Sequence, residues 1–152
     1  MALSLSNVDQ GAPSSAPQSV TVEQFAMAFC MLHGLDSGKS SAERDRYTRT
    51  ASHGAYVVQF HGDTPVACGS VAVEGKFAGI FGMVTAAQFR GRGIATAIVA
   101  KLLNDARAAG AETAYLQVEA DNAPARRAYS KFGFRDRYAY WYRAPPGCDD
   151  NL

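Results

Sequence analysis

Three extended runs joined by very short turns, followed by alternating helix and strand, constrain this chain more than any other feature of its sequence. Ala55 to Phe60, Pro65 to Glu74 and Phe77 to Thr85 read as strands, and the turn clusters His61-Gly62-Asp63-Thr64 and Gly75-Lys76 connect them. Turns this short join antiparallel neighbours, so the three runs form a meander. Beyond Thr85 the pattern changes. A long amphipathic helix runs from about Gly91 to Ala109, with Ile94, Ile98, Leu102 and Ala106 on its inner stripe. Ala114 to Glu119 is extended, Asn122 to Phe132 is helical and closed by Gly133, and Phe134 to Arg143 is extended again. Strand, helix, strand in that order demands crossover connections, which place parallel neighbours in the same sheet. The expected fold is α/β, a mixed central sheet flanked by helices.

Upstream, Thr21 and Gln24 form a capping-box pattern for a first helix with Val22, Phe25, Ala26, Phe29 and Leu32 on one face and Gly34 as its stop. Ser41 to Thr50 reads as a shorter, polar helix. Residues 1–18 are rich in Ser, Ala, Pro and Gln and offer little to bury, so they are expected to be a flexible leader. The domain then spans 19–143, and residues 144–152, with two prolines and two acids, form a tail.

Composition excludes several classes. With 152 residues, 47% of them hydrophobic, one core is enough to hold the fold. The N-terminus lacks the charged segment of a secretory signal and no apolar run approaches the ~20 residues that span a bilayer, so a cytoplasmic protein without membrane contact is expected. Cys30, Cys68 and Cys148 supply neither a disulfide framework nor a CxxC pair, and His33, His53 and His61 lack metal-ligand spacing, so no metal is expected. A formal charge of +1 argues against a chain built to coat nucleic acid. That total hides ten basic and five acidic side chains between residues 86 and 143, which places any anion site in the C-terminal half.

Two segments can carry chemistry. In Arg90-Gly91-Arg92-Gly93-Ile94-Ala95, glycines let the backbone turn tightly and leave the amides open to a bulky anion. A helix starts at once, so its unpaired N–H groups and positive dipole end converge on the same space, with Arg90 and Arg92 adding full charges. Alone, the same residues suit a solvated turn. Gly34 to Ser40 ends like a Walker loop but has three residues between its glycines where four are needed, and it follows a helix. In the second segment Asn122 stands at a strand-to-helix passage and Tyr129 lies seven residues on, close to two turns and on the same face. Asn122 as a helix cap and Tyr129 as a core residue is the alternative reading.

Together the two segments resemble the GNAT superfamily of acetyl-CoA-dependent N-acetyltransferases. Its signature, Arg or Gln followed by x-x-Gly-x-Gly/Ala, is met by Arg90 to Ala95 after a strand, and its later pattern by Asn122, Ala125, Tyr129, Gly133 and Phe134. The resemblance covers Ala55 to Arg143 well and reaches Thr21 only through the order of elements. It implies a splayed parallel strand pair in mid-sheet, with the pantetheine arm of acetyl-CoA along the backbone of Met83, Val84 and Thr85. It also implies a pyrophosphate on the amides from Gly91 through Arg92, Gly93, Ile94 and Ala95 to Thr96, beside Arg90 and Asn122. A backbone N–H near Val84 would meet the oxyanion, and Tyr129 would protonate the leaving thiolate.

An alkylammonium must also lose a proton before attack, for which Glu119 is the first candidate, with Glu74, Asp121 or ordered water as alternatives. Transfer by direct attack is expected, because Cys68 lies far from the motifs and no cysteine has an activating histidine beside it. The acceptor is a small-molecule or peptide amine, the oligomeric state is left open with a homodimer as one option, and Tyr138, Tyr140 and Tyr142 share one face of the last strand, where most are expected to pack in the core against the first helices and one or two to wall the acceptor site. Two rival readings are a non-catalytic acyl-CoA-binding regulatory module and a nucleic-acid binder using Arg126 to Arg143.

Overall fold

The computed structural model describes residues 1–4, 16–34, 41–42, 45–46 and 53–137. Its strands are β1 (Ala2–Ser4), β2 (Gln18–Val20), β3 (His53–His61), β4 (Thr64–Glu74), β5 (Phe77–Thr85) and β6 (Thr113–Leu116). Its fully described helices are α1 (Val22–His33), α2 (Ile94–Ala108) and α3 (Ala123–Lys131), and a 3-10 turn lies at Ala87–Phe89. The strands form one sheet in the order β1-β6-β5-β4-β3-β2. The meander β3-β4-β5 is antiparallel and β5 runs parallel to β6, so the mixed sheet expected from the sequence is present.

Alternation along the strands feeds two cores. Val57 belongs to the layer beneath α2, with Val71, Ile80, Ile98, Leu102 and Leu116, while its neighbour Val58 joins Phe25, Ala28 and Cys68 beneath α1. Ile98 and Leu102 are fully buried. Each such side chain contributes about 1.5–3 kcal/mol and fixes α2 against the sheet. The capping box of α1 forms as read: the Gln24 N–H donates to Thr21 Oγ1 at 3.2 Å and the Thr21 N–H to Gln24 Oε1 at 3.0 Å. Gly34 closes the helix at φ 66°.

Two expectations change. The leader assigned to residues 1–18 is not wholly flexible: Ala2–Ser4 pairs with Thr113–Tyr115, and Ala2 exchanges two 3.0 Å backbone hydrogen bonds with Arg135 on its other side. Gln18–Val20 pairs with Tyr56–Val58. Composition reports how much side chain a segment can bury, whereas these residues are held by main-chain donors and acceptors that any residue carries. The strand read as Ala114–Glu119 ends at Leu116. Ile80↔Leu116 is the last pair between β5 and β6, so Gln117 to Glu119 leave the sheet and the two strands part.

Of the polar helix read over Ser41 to Thr50, Ser41, Ala42, Asp45 and Arg46 are described and helical. Tyr138, Tyr140, Tyr142 and the tail lie outside the described residues.

Candidate active site

The parting of β5 and β6 follows from a bulge in β5. Cys68 pairs with Val84 but Ser70 with Phe81, so the single residue Gly69 faces two, Gly82 and Met83. Gly82 sits at φ 65°, a left-handed conformation that glycine adopts without strain. An isolated glycine inside a strand pattern is a bulge signal, and Gly82 is the bulge position that the motif reading passed over.

Beyond the bulge the backbone polarity of β5 is set by its ladder with β4. The Ala86 N–H donates to the Val66 carbonyl at 2.8 Å. Alternation therefore turns the Val84 N–H toward β4 and those of Met83 and Thr85 away from it, into the gap that β6 has vacated. The amide near Val84 that is free to meet a ligand is thus that of Met83. The Met83 side chain packs with the α2 core and that of Val84 with the α1 core.

The next turn carries the residues expected to form an anion site. Gly91 and Gly93 adopt φ 75° and 78°, and an added Cβ at either would meet no protein atom within 4 Å. Their lack of a side chain is required by conformation and leaves open space beside the backbone. Gly93 is the N-cap of α2 and no side chain caps this helix, in contrast to Thr21 on α1 and Asn122 on α3. The first intrahelical bond is donated by Ala97, so the N–H groups of Ile94, Ala95 and Thr96 have no acceptor within the helix. The two arginines differ: Arg90 Nε donates to the Thr85 carbonyl at 3.2 Å and ties the turn to the end of β5, whereas the Arg92 guanidinium stacks 4.9 Å from the Phe89 ring centroid. Phe89 in turn contacts His61 of the β3–β4 hairpin, with ring centroids 5.2 Å apart.

Tyr129 lies on α3 against the α2 core and stacks edge-on with Phe134 at 6.0 Å. With Ala95, Thr96, Val99, Ala125 and Phe132 it lines an apolar cavity of about 60 Å³, which places its ring beside the first turn of α2. Burial pushes its pKa above the ordinary phenol value, so it keeps its proton at neutral pH. Asn122 is exposed, and its Oδ1 accepts from the Ala125 N–H at 3.3 Å, so its carbonyl is committed to capping. Glu119 is exposed just beyond the end of β6, with its own carbonyl accepting from the Asn122 N–H. Glu74 pairs with Phe77 at the opposite end of β5, roughly 20 Å along the strand from Met83, and so is remote from the gap.

Cys68 does not lie far from the motifs as expected, since it pairs with Val84; it is fully buried, and that burial pushes its thiol pKa up to about 12. At neutral pH it stays a thiol and is no nucleophile. Native protein treated with iodoacetamide at pH 7.5 is expected to leave Cys68 unmodified by peptide mapping, with full labelling after denaturation. Native labelling within minutes would disprove this burial. Among the described residues no group of three metal-ligating side chains comes together, and no described helix is long and apolar enough to cross a membrane.

Comparison with known proteins places the fold and the family. The chain is 27% identical over 127 residues to YobR of Bacillus subtilis (strain 168), an uncharacterized N-acetyltransferase; the match covers 84% of this chain and 50% of that protein, so the chain spans about half of its relative's length. Two solved structures share the fold with TM-scores of 0.65. Glucosamine-6-phosphate N-acetyltransferase of Arabidopsis thaliana is 17% identical, covering 84% of this chain and 96% of that one. A predicted acetyltransferase of Clostridium acetobutylicum, solved with acetyl-CoA, is 15% identical, covering 84% and 94%. The pattern of the acetyltransferase (GNAT) family matches residues 24–134, which take in the bulged strand, the uncapped helix and Tyr129, and the chain belongs to that family.

Proposed function

We propose that this chain transfers an acetyl group from acetyl-CoA to a primary amine by direct attack in a ternary complex. The observation that carries the reading is one juxtaposition: the open edge of β5 beyond the bulge leads directly into the uncapped N-terminus of α2, with Tyr129 beside that helix's first turn. A thioester arm pairs along the edge at Met83 and Thr85, and its diphosphate takes the amides of Ile94, Ala95 and Thr96, with Arg92 adding charge.

The amine nitrogen attacks the thioester carbonyl carbon and a C–N bond forms. Charge on the carbonyl oxygen is met by the Met83 amide. The tetrahedral species collapses, the C–S bond breaks, and the sulfur takes the Tyr129 proton to leave as free coenzyme A, while the proton shed by the acylated nitrogen returns through solvent to the Tyr129 phenolate. The products are an N-acetyl amide and a thiol. The proton of the incoming ammonium leaves through water past Glu119, whose exposure suits a relay more than a buried base. Glu119→Gln is expected to lower kcat less than about tenfold; a loss beyond a hundredfold would make it the obligatory base.

The amine approaches from the α1 face of the sheet, since Tyr129 and α2 occupy the other. That face carries Phe81 and Tyr115, both about two-fifths exposed and in edge contact with ring centroids 6.2 Å apart, at the point where β5 and β6 separate. Aromatic walls favour amines with an apolar or cationic body. Calorimetry with acetyl-CoA, followed by thiol release across a panel of aryl-alkyl, aliphatic and sugar amines, tests both parts. Saturation at one equivalent with fastest release from aryl-alkyl amines is expected. Binding without release from any amine would favour the regulatory module, and absence of binding would defeat the reading.

A further inference from the structure

The bulge that opens β5 leaves two successive carbonyls directed at β4, and β4 meets both with side chains. Ser70, 3% exposed, donates its hydroxyl to the Phe81 carbonyl at 2.9 Å, and the fully buried Cys68 thiol lies 3.5 Å from the Gly82 carbonyl. Between them Gly69 has no Cβ, and the space one would occupy is filled by the Met83 thioether together with Ile98 and Leu102. Cys68 and Ser70 thus meet the bulged stretch of β5 from one face of β4, while Gly69 on the other face makes room for Met83.

We infer that Ser70 is a positioning residue for acetyl transfer: by anchoring the Phe81 carbonyl it aims the Gly82 N–H into the gap beside that of Met83, so that the thioester oxygen meets two amides. In a trans peptide the carbonyl of one residue and the N–H of the next point in opposite directions. With the Phe81 and Gly82 carbonyls directed at β4, the Gly82 and Met83 N–H groups point away from it, where β6 no longer pairs. Ser70↔Phe81 is the first pair in register next to the bulge, and the hydroxyl adds a side-chain donor to that carbonyl where the ladder is interrupted on its other side. The hydroxyl matters more than the thiol, because O–H donates at shorter range and more strongly than S–H.

This inference rests on the reading of the β5 edge as the thioester site, and two measurements separate the two. In Ser70→Ala, kcat with acetyl-CoA and the best amine of the panel is expected to fall by about tenfold to a hundredfold, a partial loss of the effect of an oxyanion donor. KM for acetyl-CoA should stay within about twofold of wild type, and Ser70→Cys, which keeps a weaker donor, should fall between the two. In the free proteins, the amide proton shifts of Gly82 and Met83 should move in Ser70→Ala while those of β2 and α1 do not. Unchanged kcat, or kcat, KM and melting temperature moving in parallel, would overturn the positioning role. Should Ser70→Ala fail to fold, Ser70→Cys carries the same comparison. If wild type neither binds nor consumes acetyl-CoA the thioester reading falls, and the amide shifts still decide whether Ser70 aims these donors.

Discussion

Gly93→Val is expected to weaken acetyl-CoA binding at least a hundredfold, as read by calorimetry. Two effects combine. At φ 78° a β-branched residue is strained by at least about 1–2 kcal/mol, which lowers the melting temperature by roughly 2–8 °C in a chain of this size. Its side chain also projects into space that holds no protein atom, beside the free amides of Ile94 to Thr96. Gly93→Asn separates the effects, since asparagine tolerates the left-handed conformation while still filling the cradle. That variant should melt near wild type and still bind poorly. Wild-type affinity in a folded Gly93→Asn would move the diphosphate elsewhere.

Tyr129→Phe is expected to lower kcat by about 10²–10³ and leave acetyl-CoA affinity within about twofold, because general-acid catalysis is worth that much and the ring keeps its contact with Phe134. Burial raises the phenol pKa above 10, so wild type should show no alkaline limb from this group below pH 10, and kcat should rise with pH as the acceptor amine loses its proton. For stability the sign is the same. The fold favours the neutral phenol, so this contribution is complete below the unfolded pKa near ~10 and is lost as pH rises through the raised one. Equal turnover in Tyr129→Phe would assign proton delivery to solvent.

The elements easiest to read were those bounded by residues with a single conformational use. Gly75-Lys76 at one end and the Arg90-Gly91-Arg92-Gly93 turn at the other framed β5, which runs from Phe77 to Thr85 as expected. Thr21 with Gln24 marked the start of α1. The end of β6 was illegible because Gln117 to Glu119 keep an extended pattern while their pairing partner is lost to a bulge some 35 residues earlier in the chain. Pairing is a property of two segments, and periodicity reports one. The same reason hid β1, whose three residues are ordered by the backbones of β6 and Arg135. Of the site, Gly91, Gly93 and Tyr129 were visible through their motifs. Ser70 and Cys68 were not, since a buried small polar residue in a strand acquires meaning only from the carbonyl opposite.

The proposed diphosphate cradle is the exposed end of a helix whose buried side is the centre of the main core, with Ile98, Leu102 and Leu103 sealed against the sheet. Hold on the ligand and coherence of the interior therefore depend on one rigid body. Sequence drift at these apolar positions should first register as looser retention of the carrier, well before the chain loses its overall architecture, and saturating carrier should mask such damage in any thermal screen.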